Sequence, residues 1–308
     1  MFYKAEHLSM NDNDKKSNSA IRMISSSSDL AAYLSCLRNK GIKKIAIDLE
    51  GDQGQINYRY SISIIQCFDG EEAVIIDVLK TGSCESLKEF LTCDDIVKVM
   101  FSSENDIYMT QNVLGCTIQP LRDIAVAQKL LGMKINITEY IGVNKEEKHS
   151  FQRANWLKRP ISSELINYAV NDVLSLLRIE SDLESALLEK KLLAKYEQLN
   201  TGISSKNFRV NQFLVYRDKF PGYRKLSSEK KELSRVLWIF REMLGEHYNC
   251  PVSYLLTKKS MADIVSRGGD ILIELCDELN MNRRKKIDPE LVIKLFDRAK
   301  SYSEKLKK

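Results

Sequence analysis

Three short apolar segments follow one another between residues 42 and 77, and beyond them the apolar spacing changes from two to three and four. That switch limits the possible folds more than any other feature of the chain. Ile42 to Leu49 reads as a strand, an apolar series interrupted by two lysines. Ser61 to Cys67 alternates small polar residues with Ile, and Ala73 to Asp77 is a short apolar run. Strands this close in sequence pair as an antiparallel meander. Ahead of them, Ser28-Asp29-Leu30 opens a helix that runs through Leu34 and Leu37 and stops at Gly41. After them, Cys84 to Leu91 has helical period and Ile96 to Phe101 is a strand of the buried kind. Glu104 to Leu114, Arg122 to Leu131 and Glu164 to about Leu199 then carry apolar residues at helical spacing. The order predicts an α/β fold, a mixed sheet flanked by helices.

The rest of the 308 residues divides by pattern. Residues 1–20 are rich in Asn, Ser, Asp and Lys with no apolar run, and are expected to form a flexible leader rather than a secretory signal. Residues 21–199 hold the α/β body. Asn200 to Lys206 (NTGISSK) has the composition of a linker, and 200–226 is assigned to it. Residues 227–308 form a small all-helical module. Its first helix shows Leu233, Val236, Leu237, Phe240 and Leu244 on one face; Pro251, a second helix over Met261 to Val265, a Gly268-Gly269 break and two more helices follow.

Composition narrows the chemistry. No stretch approaches the roughly 18 apolar residues needed to span a bilayer. Seven scattered cysteines, none at C-x-x-C spacing, fit reduced thiols in a cytoplasmic protein better than a zinc site or a disulfide framework. The only histidines are His7, His149 and His247, which argues against Ser-His-Asp and Cys-His catalysis. Any catalysis falls to carboxylates. Residues 201–308 carry 23 Lys and Arg against 14 Asp and Glu, so a net +9 stands beside a mildly acidic body. That asymmetry suits a polyanion grip, and equally a solvated helical surface; the run Arg283-Arg284-Lys285-Lys286 can be read both ways.

Three acidic motifs stand out. Asp48 and Glu50 end a predicted strand at i and i+2, and so share a face. Adjacent carboxylates repel unless a cation sits between them, and hard oxygen ligands favour magnesium or manganese. Surface acids at a strand end account for the pair as well. Tyr168 and Asp172 are i and i+4 on a helix, a phenol able to orient a water beside a possible metal ligand. Taken alone, a packed tyrosine with an exposed aspartate explains them better. Asp106 sits in the first turn of a helix, where acids are favoured by the helix dipole in any case.

The order and surroundings of these pieces change their weight. The chain resembles the ribonuclease D family of the DEDD superfamily of 3′→5′ exonucleases over roughly residues 25–195. IAIDLEGDQ with YSISIIQCFDG is similar to its first motif, KVMFSSENDIYMTQNVLGC to its second, and ANWLKRPISSELINYAVNDVLSLLRI to its third. LRDIAVAQKLLG, with Asp123 opening a helix, is similar to a further family segment. The third match is long and specific, with Trp, Arg-Pro, Tyr and Asp at the family spacing. The segment YRDKFPGYRKLSSEKKELSRVLWIFREMLGEHYNCPVSYLLTKKSMADIV resembles, more loosely, an HRDC domain.

The resemblance implies a ribonuclease H-like body and the tyrosine subclass of the superfamily. It implies two magnesium or manganese ions about 3.5–4 Å apart. Asp48 would bridge them, Glu50 and Asp172 would complete one, Asp106 would serve the other through water, and Tyr168 would hold the attacking water. Arg153, Trp156 and Arg159 are the expected substrate contacts. The implied partner is RNA at its 3′ end, with tRNA precursors as a candidate substrate, and a monomer is favoured. Departures are Phe101 where relatives often have His, Asp52 as an added acid that is either solvated or perturbs the site, and room for one HRDC-like module where bacterial relatives usually have two. His149 is expected at the surface. A DNA exonuclease of the same fold and a catalytically silent RNA-binding adaptor are the rivals. Trimming of matched RNA and DNA separates the first. The second would ordinarily have lost an acid, and this chain keeps all four.

Overall fold

The computed structural model describes residues 21–137, 150–209, 211–280 and 286–306. The expected leader therefore lies outside the described residues, as do His7, His149 and Arg283-Arg284-Lys285. A six-stranded sheet runs in the order β1-β4-β3-β2-β5-β6. Its strands are β1 (Arg22–Ile24), β2 (Lys44–Asp52), β3 (Ser61–Phe68), β4 (Ala73–Asp77), β5 (Val97–Met100) and β6 (Leu121–Asp123). β2, β3 and β4 form the predicted antiparallel meander, while β2–β5, β5–β6 and β1–β4 pair in parallel. The mixed α/β sheet is as expected.

Helices cover both faces. On one side are α1 (Ser27–Asn39), α3 (Glu85–Thr92) and α4 (Glu104–Val113), separated in sequence by the single turn α2 (Val78–Thr81). Leu30, Leu34 and Leu37 of α1 and Leu87, Phe90 and Leu91 of α3 pack with Ile45, Ile47 and Leu49 of β2. The other side carries α6 (Ser163–Leu174) and α7 (Leu176–Glu189), together with α5 (Ile124–Leu130) and α8 (Leu193–Ser205). There Val173, Leu176 and Ile179 meet Ala46 and Val99, and Ala169 and Val170 meet Ile64 and Ile75. Strand alternation thus sends neighbouring residues of β2 into two different cores.

Several expectations shift. Arg122 does not begin a helix. Asp123 accepts from the backbone N–H of Ala125 and caps α5, so the three residues before it are free to pair with β5. The continuous helix expected from Glu164 to Leu199 is three helices, jointed at Ser175 and at Lys191, whose φ is +58°. The linker reading of Asn200 to Lys206 is corrected: α8 runs through Ser205. Its turn-forming residues are satisfied within the helix. Thr201 Oγ1 donates to the Glu197 carbonyl, Ser205 Oγ to that of Thr201, and Asn200 Nδ2 to that of Tyr196.

The helical module has its own core. After α9 (Tyr216–Lys219) come α10 (Ser228–Tyr248), α11 (Lys258–Arg267), α12 (Ile271–Asn280) and α13 (Pro289–Lys305). Leu237, Phe240 and Leu244 of α10 pack with Leu256 and Phe296. The single apolar face expected for α10 is too modest, because every residue from Val236 to Gly245 is buried, Arg241 and Glu242 among them. Gly268, at φ +71°, stops α11 as foreseen.

Trp156 and Arg159, expected at the substrate, serve the fold instead. Trp156 is 1% exposed and its Nε1 donates to the Phe151 carbonyl. Arg159 makes a two-pronged bridge to buried Asp77, with Nε donating to Oδ2 at 3.0 Å and Nη2 to Oδ1 at 2.8 Å. It also donates to the Trp156 carbonyl and to Ser63. One side chain ties the strap before α6 to β3 and β4. Removing it strands a buried carboxylate, which costs about 3–5 kcal/mol. Arg159→Ala should therefore lower the unfolding free energy by about 3 kcal/mol in a denaturant titration; a loss under about 1 kcal/mol would show that the bridge is not structural.

Candidate active site

Ile45, Ile47 and Leu49 turn into one core, so Ala46, Asp48 and Glu50 turn to the opposite face of β2. The register of β2 on β3 shifts between Glu50 and Gly51. Gly51 lies so close to β3 that an added Cβ would collide with the Ser61 carbonyl oxygen, so only glycine fits there. Across the ladder from Asp48 stands Gln66, whose Nε2 donates to Asp48 Oδ2 at 3.0 Å. This contact fixes one carboxylate oxygen and leaves the other directed elsewhere.

The second element is α6. Ser162 caps it by accepting from the Leu165 N–H, and Tyr168 and Asp172 fall on one face. That face meets the sheet where Asp48 and Glu50 emerge. One carboxylate oxygen from each of Asp48, Glu50 and Asp172 lies within 4.8 Å of the other two. Tyr168 is wedged against Phe151 and Trp156, with ring centroids 4.8 and 6.3 Å away. Burial pushes its phenol far above the ordinary range, followed by the charges of Asp172 and Glu50 and a hydrogen bond with Asp172. The phenol is neutral at any ordinary pH.

Asp106 arrives from the other side of the sheet. It is 8% exposed, in the first turn of α4, and lines the same cavity of about 500 Å³ without joining the close trio. Burial pushes its carboxyl well above the usual carboxylate range, helped by the charges of Asp48 and Asp123. Asp123 was read only as a helix opener, yet it does more. Its carboxylate accepts from the backbone N–H groups of Ser102 and Ser103 and from the Ser103 hydroxyl, at 2.8–2.9 Å. Those bonds hold Ser102 at φ +58° in the turn that aims α4 into the cavity.

Arg153 and Phe101 line the cavity too, Arg153 exposed at its mouth. Asp52 does not face solvent. It is 2% exposed, and its carboxylate accepts from the N–H groups of Gln55, Ile56 and Asn57, which organises the loop after β2. Sequence reasoning overlooked Gln66. Its signal was the one amide in a strand otherwise built of apolar residues and two serines, SISIIQCF.

Three close carboxylates, all oxygen donors, suit a hard divalent cation, and without one they repel. The same repulsion reaches Asp106. A carboxyl whose pKa is raised by folding subtracts stability once pH exceeds its unfolded value, because the folded state must then be ionised at a cost. Asp106→Asn should therefore raise Tm by about 2 °C or more in chelator at pH 7.5, with the gain shrinking toward pH 4. Equal Tm values across that range would show that Asp106 carries no such strain.

Comparison with known proteins agrees with this geometry. A family model described as 3′–5′ exonuclease matches residues 21–188. Ribonuclease D of Xanthomonas oryzae pv. oryzae is 32% identical over 142 residues, 44% of this chain and 39% of that protein. Escherichia coli ribonuclease D is 30% identical over 168 residues, 53% of this chain and 44% of that protein. The matches thus span about two-fifths of those relatives. The crystal structure of E. coli ribonuclease D superposes with a TM-score of 0.74 at 22% identity, covering 91% of this chain and 75% of that one. Its likeness extends the shared fold into the helical module. With residues 21–188 inside the family model and four carboxylates gathered where its sheet and helices meet, the chain belongs to the 3′–5′ exonuclease family, with ribonuclease D among its relatives.

Proposed function

We propose that the chain is a divalent-metal-dependent exonuclease that removes nucleoside 5′-monophosphates from RNA 3′ ends. The observation that carries this reading is the meeting of Asp48, Glu50 and Asp172 within 4.8 Å, with Tyr168 beside them. Magnesium or manganese, two ions per site, would acidify a water and neutralise charge building on the leaving 3′ oxygen. Asp48, Glu50 and Asp172 would hold one ion; Asp48, shared, and Asp106 would hold the second. Gln66 keeps Asp48 turned toward its partners. A phenol that stays protonated is a poor base but can donate one hydrogen bond and accept another, so Tyr168 orients the attacking water rather than deprotonating it. Arg153, exposed at the mouth of the cavity, is placed to meet an incoming phosphate.

RNA as substrate is supported by the relatives' names and by the description of E. coli ribonuclease D as an exoribonuclease involved in structured RNA processing. Structured RNA ends, tRNA precursors among them, are the substrates we favour. The helical module is read as HRDC-like, and its net +9 third of the chain as a phosphate grip. A cytoplasmic location is proposed from the seven free cysteines, and a monomer is the state we favour.

The test is a 5′-labelled RNA and a DNA of the same sequence, incubated with magnesium, manganese or chelator, beside Asp48→Asn and Asp172→Asn. Stepwise 3′ shortening of the RNA is expected with metal and none in chelator. Each variant should lose about a thousandfold in rate, the equivalent of several kcal/mol of transition-state stabilisation, with an unchanged circular dichroism spectrum. Full activity in either variant would overturn the mechanism, and faster trimming of the DNA would replace the substrate.

A further inference from the structure

The molecule has a second cavity, of about 550 Å³, where the α/β body meets the helical module. That volume falls within the roughly 300–1,000 Å³ typical of small-molecule sites. It adjoins the catalytic cavity, and Gln53 lines both. The loop between them, residues 53–60, is held from two sides. Asp52 organises its start, while Tyr58 donates to Glu242, Arg59 pairs with Glu246 and the Tyr254 hydroxyl donates to the Gln55 carbonyl.

The two cavities have opposite charge. Lys219, Arg241 and Lys258 line the second one. Arg241 is 4% exposed. Its Nε donates to the Leu256 carbonyl at 2.9 Å, and its Nη1 stands 3.6 Å from Glu242, beyond a good hydrogen bond. Its terminal nitrogens are not among the buried atoms left without a partner, so they open onto the cavity, and among the described residues Lys219 and Lys258 have no ion-pair partner. A guanidinium anchored in the wall by its Nε presents its remaining donors to whatever enters the cavity. Glu242 is the one carboxylate that faces these three cations: burial pushes its carboxyl upward, Arg241, Lys219 and Lys258 draw it down, and it accepts the Tyr58 hydroxyl, so the cavity wall keeps an excess of positive charge. The ammonium of Lys258 is pushed down by its own desolvation and by Arg241 and Lys219.

The walls are aromatic. Tyr60 and Tyr108 lie with centroids 5.4 Å apart, and Trp238 sits beneath Arg241, whose guanidinium carbon is 5.1 Å from the ring centroid. Cations around unused donors call for a phosphate, and tyrosine rings beside them offer a surface on which a base can stack. We propose that this cavity is a nucleotide-binding site separate from the catalytic carboxylates. Its phosphate is taken by Arg241, Lys219 and Lys258, and its base lies against Tyr60 and Tyr108. The ligand class is a nucleoside monophosphate, supplied as a free mononucleotide or as one unit of a bound RNA strand; the second source rests on the function proposed above.

Chelator separates the two sites, because a cavity of bare carboxylates repels phosphate. The full chain is titrated with AMP and with inorganic phosphate in chelator, following heat and tryptophan fluorescence, to which Trp156 and Trp238 both contribute. Saturable AMP binding is expected, tighter than phosphate, and retained by Asp48→Asn. The exposed pair Lys219→Glu/Lys258→Glu should weaken it at least tenfold while keeping the wild-type Tm. Absence of AMP binding by the wild type, equal binding by the double variant, or loss of binding in Asp48→Asn would each overturn the site. Two further arms assign the source. A KM that rises more for an RNA 12-mer than for a dinucleotide in the double variant indicates a strand unit. AMP inhibition that the double variant abolishes indicates a free nucleotide. Neither effect, with AMP still bound by the wild type, would limit the cavity to adventitious anion binding and overturn the proposal. Because binding is read without metal or hydrolysis, it can fail or succeed independently of the exonuclease reading.

Discussion

Mutual repulsion among carboxylates is the constraint from which the rest of this structure can be understood. Three of them converge within 4.8 Å and a fourth shares their cavity. A chain can hold such an arrangement only if each acid is attached to something rigid. β2 provides that for Asp48 and Glu50, because its other face is buried through Ile45, Ile47 and Leu49. α6 does so for Asp172, because Ala169, Val170 and Val173 are buried against the sheet. α4 does so for Asp106, with the Ser102 turn clamped by Asp123. Burial on the far side of each element keeps like charges together on the near side.

The same logic explains where the buried polar residues went. Asp77 and Arg159 lock the strap that carries Trp156 to the edge of the meander, and Trp156 in turn backs Tyr168. Asp52 organises the loop that reaches the helical module. None of these groups faces the trio, yet each fixes the position of an element that does. The phenol of Tyr168 registers this packing: burial first, and then the neighbouring acids, push it upward.

Much of this was legible because it depends on period. Asp48 and Glu50 at i and i+2, Tyr168 and Asp172 at i and i+4, and the meander over 44–77 follow from local geometry. What was not legible depends on partners distant in sequence. β1 and β6 are three residues each and exist because β4 and β5 offer open edges. The NTGISSK stretch has turn composition, but Asn200 is buried where its Oδ1 accepts the Asp123 N–H, so helix wins over propensity. Arg159 lies inside a functional motif and therefore looked functional. Its partner Asp77 sits 82 residues away, and no local pattern announces it. Gln66 shows the opposite error, a residue that holds Asp48 yet sits inconspicuously in a buried strand.

The closeness of two cavities of opposite sign bears on how a polyanion can be handled. A bare carboxylate cluster repels a phosphodiester, so on the function proposed a cation must stand among the acids when a polyanion enters. The second cavity is lined by cations that the chain itself supplies, Arg241 anchored through its Nε and Lys219 and Lys258 beside it. Only the 53–60 loop divides them, and both modules hold that loop: Asp52 from the body, Glu242 and Glu246 from α10. A change in how the helical module sits would move the loop, and with it Gln53, which touches Asn105 one residue before Asp106. The module is thus joined to the site by a short run of hydrogen bonds rather than by charge alone. Its placement sets the geometry between the carboxylate cavity and the cation-lined one.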